Sequence, residues 1–178
     1  MWFWGGYHRF IRICTCSVRL WIRRAHCRGC GKTPSLLPSF VLQRRLDPVA
    51  TIGQVLSAAT ERASGVRPIA NHLGIAHTTA REWVRRFNSR ADVWSAGFSA
   101  LALYCGAEVP ELVGSVDQQA LAAIALVLSV ASPGGPAGQL WPFASVVTGG
   151  GLLATNTTSP CLWLGRRRFI APVPKQPG

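Results

Sequence analysis

The sequence predicts a mainly α chain that opens on a β-hairpin and ends in an irregular tail, and three patterns carry that prediction. Within residues 7–26 apolar and polar side chains alternate with a period of two, the spacing of a strand with one face turned inward. From Asp47 to Ala131 apolar residues recur at three- and four-residue intervals, the spacing of helices. After that, Pro133-Gly134-Gly135-Pro136, Gly149-Gly150-Gly151 and the run Thr155–Ser159 interrupt any period. Four regions follow: 1–45, hairpin and connector; 46–90, a three-helix unit; 91–132, further helices; 133–178, an irregular basic tail.

In the hairpin, Phe10, Ile11 and Ile13 form the first run. Val18, Leu20 and Ile22 alternate with Arg19, Trp21 and Arg23 in the second. Cys27-Arg28-Gly29-Cys30-Gly31 closes it, and Pro34 and Pro38 mark residues 32–45 as a connector. Asp47 suits an N-cap and Pro48 the first helical position. Val49, Ile52, Val55, Leu56 and Ala59 then form an inward face, and Gly65 ends the helix. Short helices are expected over 67–73 and 77–88. A fourth, over 92–105, places Val93, Trp94, Phe98, Leu101 and Tyr104 inward. Asp117 is expected to cap a fifth helix over 118–131, which is apolar nearly all round and so should be buried.

The 178 residues carry a net charge of +12, from 19 Lys+Arg against 7 Asp+Glu. Such a balance favours a polyanionic partner. Its distribution is uneven. Residues 1–45 hold nine basic residues and no acid, 46–90 hold six against three, and 91–165 hold four acids and no Lys or Arg. Positive charge returns in the last thirteen residues, with Arg166-Arg167-Arg168. Of the basic residues 17 are Arg, whose planar fork suits phosphates and guanine edges.

The segment Val66–Phe87 has the spacing of a helix-turn-helix. Ala70 is small enough for the second helix to approach the first. Gly74 supplies the left-handed residue that ends the first helix. Ile69, Leu73, Ile75, Ala80 and Trp83 form the shared core. The second helix is the one expected to enter a major groove. His77, Thr78 and Arg81 then lie near base edges, and Arg85, Arg86 and Arg90 near phosphates. Glu82 either faces outward as well or forms a capping box with Thr79. The helix over 46–64 completes a tri-helical unit.

Cys27-x-x-Cys30-Gly31 has the spacing with which two thiolates grip one zinc ion. The candidates for the other two ligands are Cys14 and Cys16, with His8 and His26 as weaker ones. A half-site that binds no metal is the competing reading. Cys105 and Cys161 sit in apolar surroundings and read as buried thiols.

No basic n-region precedes an apolar run at the start, and Leu121–Ala131 is too short to span a bilayer. A cytoplasmic protein without a membrane segment is therefore expected. Strand-transfer chemistry needs clustered carboxylates on two metal ions, and Asp47, Glu61, Glu82, Asp92, Glu108, Glu111 and Asp117 are scattered. No histidine sits in a nucleophile context. The chain therefore reads as a non-enzyme with no evident small-molecule substrate.

Trp4-Gly5-Gly6-Tyr7, the run Trp21–Thr33, Leu36–Phe40, Arg44–Pro48, Arg67–Phe87, Leu140–Ser145 and Leu152–Thr157 together resemble an uncharacterised actinobacterial family. Its members pair a zinc-ribbon-like N-terminus with a transposase-type helix-turn-helix. The resemblance covers most of the chain and implies binding of double-stranded DNA by a transposase-related accessory protein or transcriptional regulator. It also implies a Cys-x-x-Cys ahead of the Trp-Gly element, so a truncated ribbon is expected here. The alternative function is an RNA- or ribosome-associated zinc-ribbon protein, in which Trp2, Trp4, Tyr7 and Trp21 stack on unpaired bases. A homodimer, which would pair half-sites, is left open.

Overall fold

A computed structural model describes residues 2–13, 16–61, 65–133 and 138–154, with the backbone of 161–164 and 167–170. Strands β1 (Trp2–Ile13) and β2 (Cys16–His26) form an antiparallel hairpin, and β3 (Ser35–Leu36) pairs with the far edge of β2. Six helices follow: α1 (Val49–Thr60), α2 (Val66–His72), α3 (His77–Asn88), α4 (Ala91–Tyr104), α5 (Val116–Ala131) and α6 (Leu140–Val147). Beyond them β4 (Cys161–Leu164) and β5 (Arg167–Ile170) pair antiparallel.

The fold is thus mixed α and β rather than mainly α, and the difference arises at both ends. The hairpin begins at Trp2, five residues ahead of the expected start at residue 7. Trp2 and Phe3 pair with His26 and Ala25 across a bulge that ends at Gly6. Gly5, at φ 64°, supplies the left-handed residue there. The Gly5-Gly6 pair is therefore a kink inside a strand. At the other end, the segment expected to be irregular holds α6, β4 and β5. Pro142 is the third residue of α6, where a backbone N–H has no intrahelical partner to lose.

Two expected caps do other work. Asp47 is not the cap of α1: Pro48 holds that position with no side-chain bond, and Asp47 is buried against Arg12, whose Nε lies 3.0 Å from Oδ1. Burial raises the Asp47 carboxyl above the ordinary carboxylate range and Arg12 opposes that rise. Nor does Asp117 cap α5. Ser115 does, and its N–H donates to Gln118 Oε1 at 2.9 Å, while Gln118 Nε2 reaches the carbonyl of Thr60 at the end of α1. Helix α5 is also buried on one face only, through Ala120, Ala123, Ile124 and Val127, with Ala122 and Ala125 exposed.

The helices share one apolar core. It takes Ile52, Val55 and Leu56 from α1, Ala70 from α2, Ala80, Trp83 and Phe87 from α3, Trp94, Phe98 and Leu101 from α4, and Trp141 from α6. The sheet joins it through the connector at 41–47. Arg9 donates to the carbonyls of Leu42 and Arg45, and the Arg12 N–H donates to Leu46 O at 2.7 Å. The same connector reaches the end of α6, where Gln43 N–H bonds Gly150 O and Arg45 Nη2 bonds Leu153 O.

Candidate nucleic-acid interface

The turn between α2 and α3 is fixed by backbone chemistry. Gly74 has φ 64°. The N–H of Ile75 bonds Ala70 O at 2.9 Å and that of Gly74 bonds Asn71 O at 3.1 Å. These two bonds satisfy the last carbonyls of α2 and turn the chain sharply. Ile75 then drops into the core and α3 starts at His77.

Ala76 is the N-cap of α3 and offers no side-chain bond. The box between Thr79 and Glu82 is therefore not formed, and the first-turn N–H groups of α3 lack a side-chain cap. A helix N-terminus in this condition favours an anion through its dipole and open donors. Ala80, Trp83 and Phe87 point into the core, which sets the rest of the helix. Thr78, Arg81 and Arg85 are exposed, and His77 and Glu82 are half-buried. Thr78, Arg81, Glu82 and Arg85 fall at i, i+3, i+4 and i+7, on one stripe. They line an open depression of about 440 Å³ with Val66 and Val84.

Glu82 organises the lower half of this stripe. Arg85 Nε and Nη2 each donate to its carboxylate at 2.8 Å, and Arg86 Nε donates at 2.5 Å. This fork is not among the expectations from the sequence, although one acid followed by arginines at i+3 and i+4 is the pattern that signals it. Arg81 makes no ion pair among the described residues. Arg86 is mostly covered and lies beside Arg45, whose guanidinium is pulled down by burial and by the charge of Arg86. Arg90 is turned elsewhere: it donates to Ala154 O at 2.8 Å and lies over the Trp94 ring.

The fork makes a pH prediction. Bonds from Arg85, then from Arg86, hold the Glu82 carboxyl down at about 2, from an ordinary value of 4.5. A depressed carboxylate contributes stability that is fully present above its unfolded value and is lost as pH falls through its folded one. Carbon-detected NMR should therefore place the Glu82 midpoint near 2, with the fork intact throughout the neutral range. A midpoint at 4.5 would mean that the fork is open in solution.

The cysteines divide into two groups. Cys27 and Cys30 share a tight turn in which Cys27 N–H bonds Lys32 O, Gly31 N–H bonds Cys27 O, and Gly31 takes φ 66°. Hydrogen bonds from Cys30 and Gly29 lower the Cys27 thiol below its ordinary value. Cys16 lies at the far end of β2; at ~3.3 Å per residue the strand carries it roughly 36 Å from Cys27. The structure therefore does not bring Cys16 to the Cys27–Cys30 turn, and Cys14 lies outside the described residues. His8 packs edge-on against Trp21, and His26 Nδ1 sits 3.2 Å from Thr33 Oγ1. Among the described residues no group of three or more His, Cys, Asp or Glu is gathered where it could hold a metal. Cys105 is half-buried at the end of α4, and the Cys161 side chain lies outside the description.

Among the described residues, no helix is long and apolar enough to cross a membrane. No protein family, curated protein or solved structure matches the chain.

Proposed function

We propose that α2, its turn and α3 act as a helix-turn-helix, with α3 as the helix that enters the major groove of double-stranded DNA. One observation supports this most directly. The N-terminal half of α3 presents Thr78 and Arg81 outward, beside an end of the helix that carries no side-chain cap. An Arg in that place can donate two bonds to one guanine edge, and the open N–H groups can take the neighbouring phosphate. Arg85 faces the same way one turn on, but its guanidinium is held by Glu82 and reaches a phosphate only when that fork opens. Arg90 is not assigned one, because its guanidinium serves Ala154 and Trp94.

In this reading the protein binds without catalysing a step, as a transposase-related accessory protein or regulator acting on cytoplasmic DNA. The Cys27–Cys30 turn supplies two thiolates of the four donors that structural zinc takes, so the described residues fit half a site.

Selection of sites from random duplexes by the full-length protein tests the reading, with zinc measured on the same sample. A recovered consensus is expected, with affinity falling steeply between 50 and 200 mM salt, as phosphate contacts require. A palindrome with half-sites about 10 base pairs apart would add a homodimer. Recovery of no consensus, or a preference for RNA over duplex DNA, would overturn it.

A further inference from the structure

The hairpin carries a second surface, remote in chemistry from α3. One face of the β1–β2 pair buries Ile11 and Ile22. On the opposite face Phe10 pairs with Arg19, His8 with Trp21, and Phe3 with Ala25. Phe3, Phe10 and Trp21 are 73, 55 and 50% exposed. The guanidinium of Arg23 lies 5.5 Å from the Phe3 ring centroid. Aromatic and cationic side chains therefore share the exposed part of this face, while Ala25 on its last rung is buried.

The Trp21 ring is held in place. A Cβ on Gly6 would come within 2.6 Å of it, so the ring lies against bare backbone. His8 meets it at 4.8 Å and 62°. Such a ring loses little freedom when a ligand stacks on it. Exposed aromatic surface of this extent marks an interaction site.

Charge selects the partner. Residues 1–45 contain nine Lys and Arg and no acid, so a second copy would meet like charge. What fits is a polyanion that also offers flat π faces at intervals. Successive rungs on one sheet face lie ~6.7 Å apart, about twice the 3.4 Å step of a stacked nucleic-acid strand. Among the described residues of the two strands none carries a carboxylate or amide side chain that would select for a 2′-hydroxyl. Duplex DNA hides its base faces within the stack. We infer that this face of the hairpin is a stacking platform for single-stranded DNA, in which Trp21 and Phe10 take bases and Arg19 and Arg23 take phosphates. The inference does not rest on the reading of α3.

Titration of full-length protein with fluorescent dT20 at low salt tests it. Binding is expected, and Trp21→Ala or Phe10→Ala should each weaken it roughly tenfold or more. Both side chains are half exposed, so the thermal midpoint should hold, and binding of a selected duplex should be unchanged. Absence of dT20 binding would overturn the inference, as would full binding by both variants. Binding of rU20 without dT20 would also overturn it, as would capture by phosphatidylglycerol vesicles without dT20.

Discussion

Trp141→Ala is expected to destabilise the chain by about 3–5 kcal/mol, the usual cost of deleting a buried indole. A single unfolding transition should move down by roughly 6–20 °C. The ring touches two other helices, α1 and α3. A Cβ on Gly53 would overlap it, so α6 crosses α1 at a residue without a side chain. Its edge meets the Phe87 ring of α3 at 6.2 Å and 74°. Removing it leaves a void under the helix that presents Arg81 and Arg85. Duplex affinity should therefore fall along with stability. Scanning calorimetry and a binding titration on the same sample check this. Two transitions, or a lowered midpoint with unchanged binding, would mean that residues 46–90 fold without α6.

That dependence explains why the sequence shows some elements and hides others. The borders of α3 match expectation and those of α2 lie one residue earlier, because local chemistry sets them. Gly74 alone tolerates the backbone angle of that turn, and Ile75, Ala80 and Trp83 fill the core whatever surrounds them. Asp47 reads as a cap in the sequence because a cap and an ion pair ask for the same residue. Only the return of β1 brings Arg12 beside it. Helix α6 is short and contains Pro142, so its propensity is poor and its stability comes from Trp141, Ala144 and Val147 in the shared core. The cysteines show the same limit. Cys14-x-Cys16 and Cys27-x-x-Cys30 look like one pattern on paper, yet an 11-residue strand separates Cys16 from Cys27. The exposed aromatics invert the usual expectation, since Trp and Phe in a small ribbon are ordinarily its core.

Two neighbouring substitutions on α3 are expected to change duplex binding in opposite directions. Arg81→Ala should cost about 1–3 kcal/mol on the preferred site and little on random DNA, because a bidentate base contact carries sequence information. Glu82→Gln should tighten binding to every duplex. Its carboxylate occupies Arg85 through two bonds and Arg86 through one. Neutralising it removes a negative charge from the face and releases a guanidinium for phosphate. Arg85 is the one that reaches DNA, since Arg86 is largely covered beside Arg45. One added phosphate contact steepens the slope of log affinity against log salt by about 0.9. The fork it dissolves lies at the surface, where ion pairs add little to stability, so the fold should survive. Glu82 is ionised well below neutral pH, so the gain should be the same at pH 6 and pH 8. Weaker binding by Glu82→Gln would mean that the carboxylate holds Arg85 in its contact geometry, or itself accepts a bond from a cytosine, and the assignment of Glu82 as a brake on binding would fail.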